Sequence, residues 1–118
     1  MLDKIFIEEL STKCRIGIYP WERKVLQKIS VDLEFPCNAR QAARHDRIQY
    51  ATDYKRIAKH TLTFISKSKF FLIETLAEKL AASLLKKFHL RQVKVRISKP
   101  GAVRHSKNVG LEIIRRGK

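Results

Sequence analysis

Cysteine and long apolar runs are both scarce in this chain of 118 residues. Only Cys14 and Cys37 are present, too few for the disulfide framework of a small secreted domain. We therefore expect that both thiols are free and buried and that the protein is located in the reducing cytoplasm. No apolar run approaches the length of a membrane span, and the segment Met1–Lys4 does not begin a signal peptide. Because the sequence shows no repeat and no linker, residues 1–118 are predicted to form one domain. The lack of long apolar runs predicts that the protein has no membrane partner.

Acidic residues are also scarce, at 11 against 26 basic ones, which gives a net charge of +15. Such a charge is typical of nucleic-acid-binding proteins. The basic residues are spread along the whole chain, however, and no zinc-finger spacing, RNP motif or helix-turn-helix is evident. We expect solvated basic faces and no nucleic-acid partner. A basic nucleic-acid-binding module remains the alternative from a different class.

Metal ligands in a recognisable spacing are absent as well. The two cysteines lie far apart, and the histidines show no ligand spacing. The four histidines are His45, His60, His89 and His105. The spacing of these residues therefore predicts no metal site.

Alternating apolar residues predict strands in the first third of the chain. A strand is expected over residues 2–10, continuing through Cys14, Ile16 and Ile18 after a turn at Ser11–Thr12. The next strand, Lys28–Phe35, alternates without interruption and is ended by Pro36.

Apolar spacings of three and four residues predict two helices in the middle of the chain. The first runs from about Tyr54 to Ile65 and the second from Ile73 to Phe88. Alternation returns over 93–97 and 108–114, on either side of Pro100–Gly101, which indicates a hairpin. The order β-β-α-α-β-β predicts an α+β fold with a four-stranded, mostly antiparallel sheet.

Such a sheet has one face that two helices can cover and another that they cannot. The uncovered face would carry polar side chains, including Lys28, Ser30, Asp32 and Glu34. The sheet would also keep two open edges, which proteins rarely leave exposed. Self-association that joins the edges and turns the polar faces inward predicts an oligomeric barrel with a wet interior.

One lysine is placed where an amine could transfer protons. Lys99 ends a predicted strand, and Pro100 biases its backbone to an extended conformation. Three further residues are candidates that each have a simpler structural explanation. Glu22 could be a surface carboxylate, Tyr54 a half-buried core aromatic, and Glu74 a carboxylate that complements a helix N-terminus.

Taken in order, these residues resemble the dihydroneopterin aldolase family over nearly the whole chain. The resemblance is carried by Gly17 and Glu22, Asp53-Tyr54, Ile73-Glu74, Ser98-Lys99-Pro100-Gly101-Ala102-Val103 and Asn108-Val109-Gly110. It implies the tunnelling fold, in which four subunits form a barrel and two such rings stack. The chain would then be a tetramer or octamer with its sites at subunit interfaces.

The resemblance also implies a retro-aldol reaction on a small-molecule pterin. 7,8-Dihydroneopterin would be cleaved to 6-hydroxymethyl-7,8-dihydropterin and glycolaldehyde. The ring imine would be the electron sink, so neither a metal, another cofactor nor a lysine Schiff base would be needed. Epimerisation is an expected side activity, and dihydroneopterin triphosphate 2'-epimerase is the alternative enzyme.

Each site residue receives a role from the resemblance. Lys99 would be the principal acid and base, and Tyr54 of a neighbouring subunit would relay a proton. Glu22 would orient the hydroxyl groups of the substrate's side chain. Glu74 would anchor the pterin ring, with backbone contacts from Ile73 beside it.

Overall fold

The computed structural model describes residues 3–118, and these form a four-stranded sheet with three helices. The strands are β1 (Lys4–Cys14), β2 (Gln27–Pro36), β3 (Gln92–Ser98) and β4 (Gly110–Arg116), and the helices are α1 (Ala39–His45), α2 (Tyr54–Lys67) and α3 (Ile73–Phe88). Two short 3₁₀ turns occupy Pro20–Lys24 and Ile48–Tyr50. The predicted strand start at residue 2 lies outside the described residues. No helix in residues 3–118 is long and apolar enough to cross a membrane.

The sheet has the order β1-β2-β3-β4, and every neighbouring pair is antiparallel. Ser30 of β2 pairs with Ser11 of β1 on one side and with Ser98 of β3 on the other. The expected α+β fold and the closing hairpin are therefore confirmed. The outer edges of β1 and β4 pair with no other strand of the described chain.

The core lies between the helices and one face of the sheet. In β2 the alternation places four side chains fully in the core, namely Ile29, Val31, Leu33 and Phe35. Helix α2 buries Ile57, Thr61 and Ile65, at spacings of four residues. Helix α3 buries Leu76, Ala77, Leu80, Ala81 and Leu84. Both predicted helices are confirmed, because burying one face against the sheet selects this spacing.

The turn expected at Ser11–Thr12 is wrong. β1 continues through both residues, since Ser11 pairs with Ser30 and Thr12 with Ile29. The irregularity lies instead between Ile7 and Leu10, where the register shifts. Glu9 adopts a φ of 54° there, and its N–H donates to Asp32 Oδ1 at 2.6 Å. Pairing across the sheet therefore outweighed the local turn preference of Ser and Thr.

Helix α1 is an element that the sequence did not predict, so the order of elements is β-β-α-α-α-β-β. It has seven residues, none of them buried, and therefore no apolar stripe that periodicity could detect. The Asn38 side chain accepts from the N–H of Gln41 at 3.1 Å and caps the N-terminus. Asp46 ends the helix with a φ of 52°.

The uncovered face of the sheet is polar, as predicted, and its charged side chains form a network of ion pairs. Lys94 contacts Glu34 at 3.2 Å and Glu112 at 3.6 Å, and Arg96 contacts Glu112 at 3.4 Å. A cavity of about 470 Å³ lies over this face. Large apolar side chains also remain exposed, among them Phe6, Ile18, Tyr19, Trp21, Leu26, Ile48 and Phe71.

Candidate active site

Lys99 directly follows β3 and is held by the backbone on both sides of its turn. Its N–H donates to the carbonyl of Val109 at 2.8 Å, and its carbonyl accepts from the N–H of Ala102 at 3.3 Å. Gly101 adopts a φ of 79°, which is unstrained only for glycine. The Lys99 side chain is only 14% exposed, so its amine points into the protein and is not a solvated surface group.

Glu22 is the partner of this amine. Its Oε2 lies 2.6 Å from Lys99 Nζ, and the residue is only 5% exposed. The same oxygen accepts from Gln27 Nε2 at 3.2 Å, while Oε1 accepts from the N–H of Tyr19 at 3.2 Å. The hydrogen bond from Lys99 is the largest cause that holds the Glu22 pKa below its usual range, against the effect of burial. The simpler interpretation of Glu22 as a surface carboxylate is therefore wrong.

Gly17 makes room for the Glu22 carboxylate. A Cβ at this position would overlap the carboxyl group of Glu22, and the φ of 127° is one that other residues rarely adopt. The glycine is thus required both by its conformation and by the side chain packed against it. Glu22 itself lies in the 3₁₀ turn Pro20–Lys24, which folds the carboxylate back over Gly17.

A buried thiol, Cys14, pairs across the sheet with Gln27, which contacts Glu22. Cys14 is fully buried, and burial raises the pKa of its thiol in spite of a hydrogen bond with Ser68 and the nearby charge of Lys99. The thiol is therefore neutral and packs in the core as a small apolar group. Cys37 is only half-buried, so the expectation of two buried thiols holds for Cys14 alone.

Tyr54, Ile73 and Glu74 stand apart from this pair in the single chain. Tyr54 begins α2 and is 54% exposed, and Ile73, half-buried, begins α3. Glu74 is exposed in the first turn of α3, where its charge complements the helix dipole. Among residues 3–118, no hydrogen bond or ion pair joins these three side chains to Lys99 or Glu22.

The loop that carries Glu22 is nevertheless attached to the loop that precedes Glu74. The N–H of Gly17 donates to the carbonyl of Phe71 at 3.0 Å, two residues before α3 begins. The two halves of the predicted site are thus connected through the backbone. Gln27 and Cys14 were not predicted as neighbours of the site, and nothing in their sequence context indicated it.

This arrangement can move protons. A shielded ammonium in contact with a carboxylate can give up and recover a proton, provided that a substrate group comes within hydrogen-bond reach. In the described part of the chain, no group of three or more His, Cys, Asp and Glu side chains could hold a metal ion.

A family model, two relatives and a solved structure carry the same family name. A family model described as "FolB: Dihydroneopterin aldolase" matches residues 5–114. The dihydroneopterin aldolase of Haemophilus influenzae is 36% identical over 114 residues, which cover 97% of each chain. That of Escherichia coli (strain K12) is 39% identical over 116 residues, covering 98% of this chain and 94% of the relative. The crystal structure of E. coli dihydroneopterin aldolase in complex with neopterin matches with a TM-score of 0.93 at 38% identity, covering 97% of this chain and 99% of the other.

Proposed function

The chain belongs to the dihydroneopterin aldolase family of folate biosynthesis, and we propose that it cleaves 7,8-dihydroneopterin through the Lys99–Glu22 pair. The products are 6-hydroxymethyl-7,8-dihydropterin and glycolaldehyde. The observation that carries the proposal is the 2.6 Å contact between Lys99 Nζ and Glu22 Oε2, because it places a proton carrier and a hydrogen-bond acceptor side by side, shielded from solvent.

The reaction breaks the bond between the first and second carbons of the substrate's side chain. The hydroxyl on the second carbon loses its proton, and the electron pair of the broken bond moves into the ring C=N, which is protonated at N5. Glycolaldehyde leaves and an enamine remains. Protonation of the first side-chain carbon and loss of the N5 proton then give the product. The substrate itself is the electron sink in this scheme, so the amine of Lys99 serves as acid and base and forms no Schiff base.

Lys99 is proposed to exchange protons, through a bound water, with N5 and with the hydroxyl on the second side-chain carbon. Glu22 accepts hydrogen bonds from the side-chain hydroxyls and orients them. The hydrogen bond from Lys99 lowers the Glu22 pKa against the effect of burial, so the shielded group remains a carboxylate that can accept these hydrogen bonds. Hydrogen bonds from Gln27 and from the N–H of Tyr19 fix the orientation of the carboxylate.

Glu74 is proposed to anchor the pterin ring. Its two oxygens can accept from N3–H and the 2-amino group together, an arrangement that a carboxylate at a fixed position suits well. The exposure of Glu74 supports this role, because both oxygens remain open to a ligand. Ile73 contributes its backbone beside the ring.

The single chain leaves this site incomplete, and we propose that a second copy completes it. Tyr54 would act from the neighbouring subunit, relaying the proton to the first side-chain carbon. Exposed large apolar side chains, including Trp21 and Phe71, and the two open sheet edges support assembly into a four-membered barrel, as a tetramer or an octamer.

Mixing inactive variants tests the shared site. Lys99→Ala and Tyr54→Phe subunits, each defective alone, should regain activity when they are assembled together. Random mixing at equal amounts gives about a quarter of the interfaces both native residues. A mixture no more active than its components would place Tyr54 and Lys99 in the same subunit or remove Tyr54 from the site.

Product analysis tests the reaction itself. Incubation with 7,8-dihydroneopterin should release 6-hydroxymethyl-7,8-dihydropterin and glycolaldehyde in equal amounts. The same intermediate can add glycolaldehyde back to its other face, so some epimer is expected. If the epimer forms alone, or only from the triphosphate, the chain is a dihydroneopterin triphosphate 2'-epimerase.

Two further treatments test the absence of a Schiff base and of a metal in this scheme. Borohydride added during turnover should leave Lys99 unmodified, and a chelator should leave the rate unchanged. We further propose that residues 1–118 act as one domain in the cytoplasm, where the free thiols Cys14 and Cys37 remain reduced.

A further inference from the structure

Arg23 joins the loop that carries Glu22 to the loop that precedes Glu74. Its Nη1 donates to the carbonyl of Gly17 at 3.1 Å and to that of Phe70 at 3.0 Å. Its Nη2 donates to the carbonyl of Lys69 at 2.6 Å. The guanidinium carbon also lies 4.1 Å from the centre of the Phe71 ring, which covers it. One side chain thus contacts the turn beside Glu22 and the segment just before α3.

The connection is continuous with the Glu22 carboxylate. Gly17 donates its N–H to Phe71 and accepts from Arg23 through its carbonyl, so both of its backbone groups are committed to this contact. The Glu22 carboxylate occupies the space that a Cβ at Gly17 would fill. Arg23 is also the residue that follows Glu22 in the same 3₁₀ turn. A shift of the 69–71 segment would therefore move the carboxylate.

We propose that Arg23 is a positioning residue that sets the distance between the Lys99–Glu22 pair and the start of α3. The inference rests on the proposed function, in which Glu74 holds the ring while Glu22 meets the side chain. A ligand that spans both ends is held well only if this distance is right. A ligand that engages only Glu74 does not depend on it.

Arginine suits this task for a physical reason. Its planar fork directs several N–H donors at fixed angles, so one side chain satisfies three carbonyls that belong to two loops. Lysine would offer a single head group without the fork, and glutamine would offer neither the charge nor enough donors. Small displacements matter at such a site, because a misplacement of about 1 Å can cost about a hundredfold in rate.

The test compares two ligands on the assembled protein. Neopterin spans both ends of the site, whereas pterin, which lacks the hydroxylated chain, reaches only the ring end. Arg23→Gln should weaken neopterin binding about tenfold, change pterin binding less than about twofold, and lower kcat about tenfold or more. Arg23→Lys should weaken neopterin binding relative to pterin binding by an intermediate factor. This variant replaces Arg23→Gln in the test if Arg23→Gln does not fold.

Lys24→Gln is the matched control. It removes one positive charge from the next position of the same turn, where Lys24 is exposed. It should leave both affinities and kcat at the values of the unchanged protein. Equal weakening of both ligands by Arg23→Gln, or no change in either, would overturn the proposal. Glycolaldehyde release by the unchanged protein reports separately on the proposed function, since the ratio of the two affinities is measured without turnover.

Discussion

Lys99 and Glu22 are 77 positions apart in the chain, yet Lys99 Nζ lies 2.6 Å from Glu22 Oε2. The lysine ends a strand and the glutamate lies in a 3₁₀ turn between β1 and β2. Both side chains are largely buried, at 14% and 7% exposed. Burying an ion pair is costly unless each partner is well satisfied, and Glu22 accepts two further hydrogen bonds. The fold thus holds a shielded proton-transfer pair in place.

Removing the amine should abolish chemistry without abolishing binding. Lys99→Ala is expected to lower kcat by about a hundredfold to ten-thousandfold, the range for loss of a general acid and base. The Kd for pterin should stay close to the unchanged value, because the ring is held elsewhere. Lys107→Ala, which removes an exposed lysine from the same loop, is the control. Equal losses in kcat and pterin affinity would make Lys99 a binding residue.

Neutralising Glu74 should weaken the binding of the pterin ring. Glu74→Gln leaves one acceptor oxygen for two ring donors and removes the charge, so the Kd for pterin should rise about tenfold. Glu78→Gln, one turn further along α3, removes a carboxylate that pairs with Arg115 at 2.6 Å and should leave pterin binding unchanged. Calorimetric titration measures both. An unchanged Kd in Glu74→Gln would remove Glu74 from the site.

A methyl group at Gly17 should displace the Glu22 carboxylate. Gly17→Ala is expected to reduce kcat at least tenfold and to lower the free energy of unfolding, because it adds both overlap and an unfavourable φ. Gly101→Ala separates the two effects, since Gly101 also has a positive φ but nothing within 4 Å of the added Cβ. Comparable activity losses in the two variants would show that strain alone matters.

The ion pair should make stability depend on pH in a defined direction. The Glu22 pKa is lowered in the folded state, so the stabilisation is present above the unfolded value of about 4.3 and is lost as the pH falls through the folded pKa. The difference in free energy of unfolding between the native chain and Glu22→Gln should therefore narrow below about pH 4. Denaturant titrations at one protein concentration measure it. Parallel curves from neutral to acid pH would contradict the assignment.

Much of the fold could be predicted because burial imposes a period on the sequence. β2 and the two long helices each bury one face. The apolar residues of that face therefore alternate along the strand and recur every three or four residues along the helices. Helix α1 buries nothing and left no such signal. The bulge at Glu9 is accompanied by a hydrogen bond from the Glu9 N–H to Asp32 on the next strand. The turn and strand preferences of neighbouring residues cannot reveal such a contact.

The site was predictable only in part, for a related reason. Lys99 and Glu22 could be proposed from the family motifs, but the burial of Glu22 depends on a contact between distant segments. Arg23 and Gln27 act largely on backbone carbonyls of other loops. Such contacts depend on the path of the chain and require no particular residue pattern, so no motif marks them.

The central claim is that Glu22 binds the hydroxyls of the substrate's side chain, Lys99 exchanges protons with N5 and the reacting hydroxyl, and Glu74 holds the far edge of the ring. A crystal structure of the assembled protein with neopterin tests it most directly. We expect the ring donors on Glu74, the hydroxyls on Glu22, and Lys99 Nζ within hydrogen-bond reach of N5, directly or through one water. Neopterin bound away from Lys99 and Glu22, such as in the cavity over the polar face of the sheet, would contradict the account.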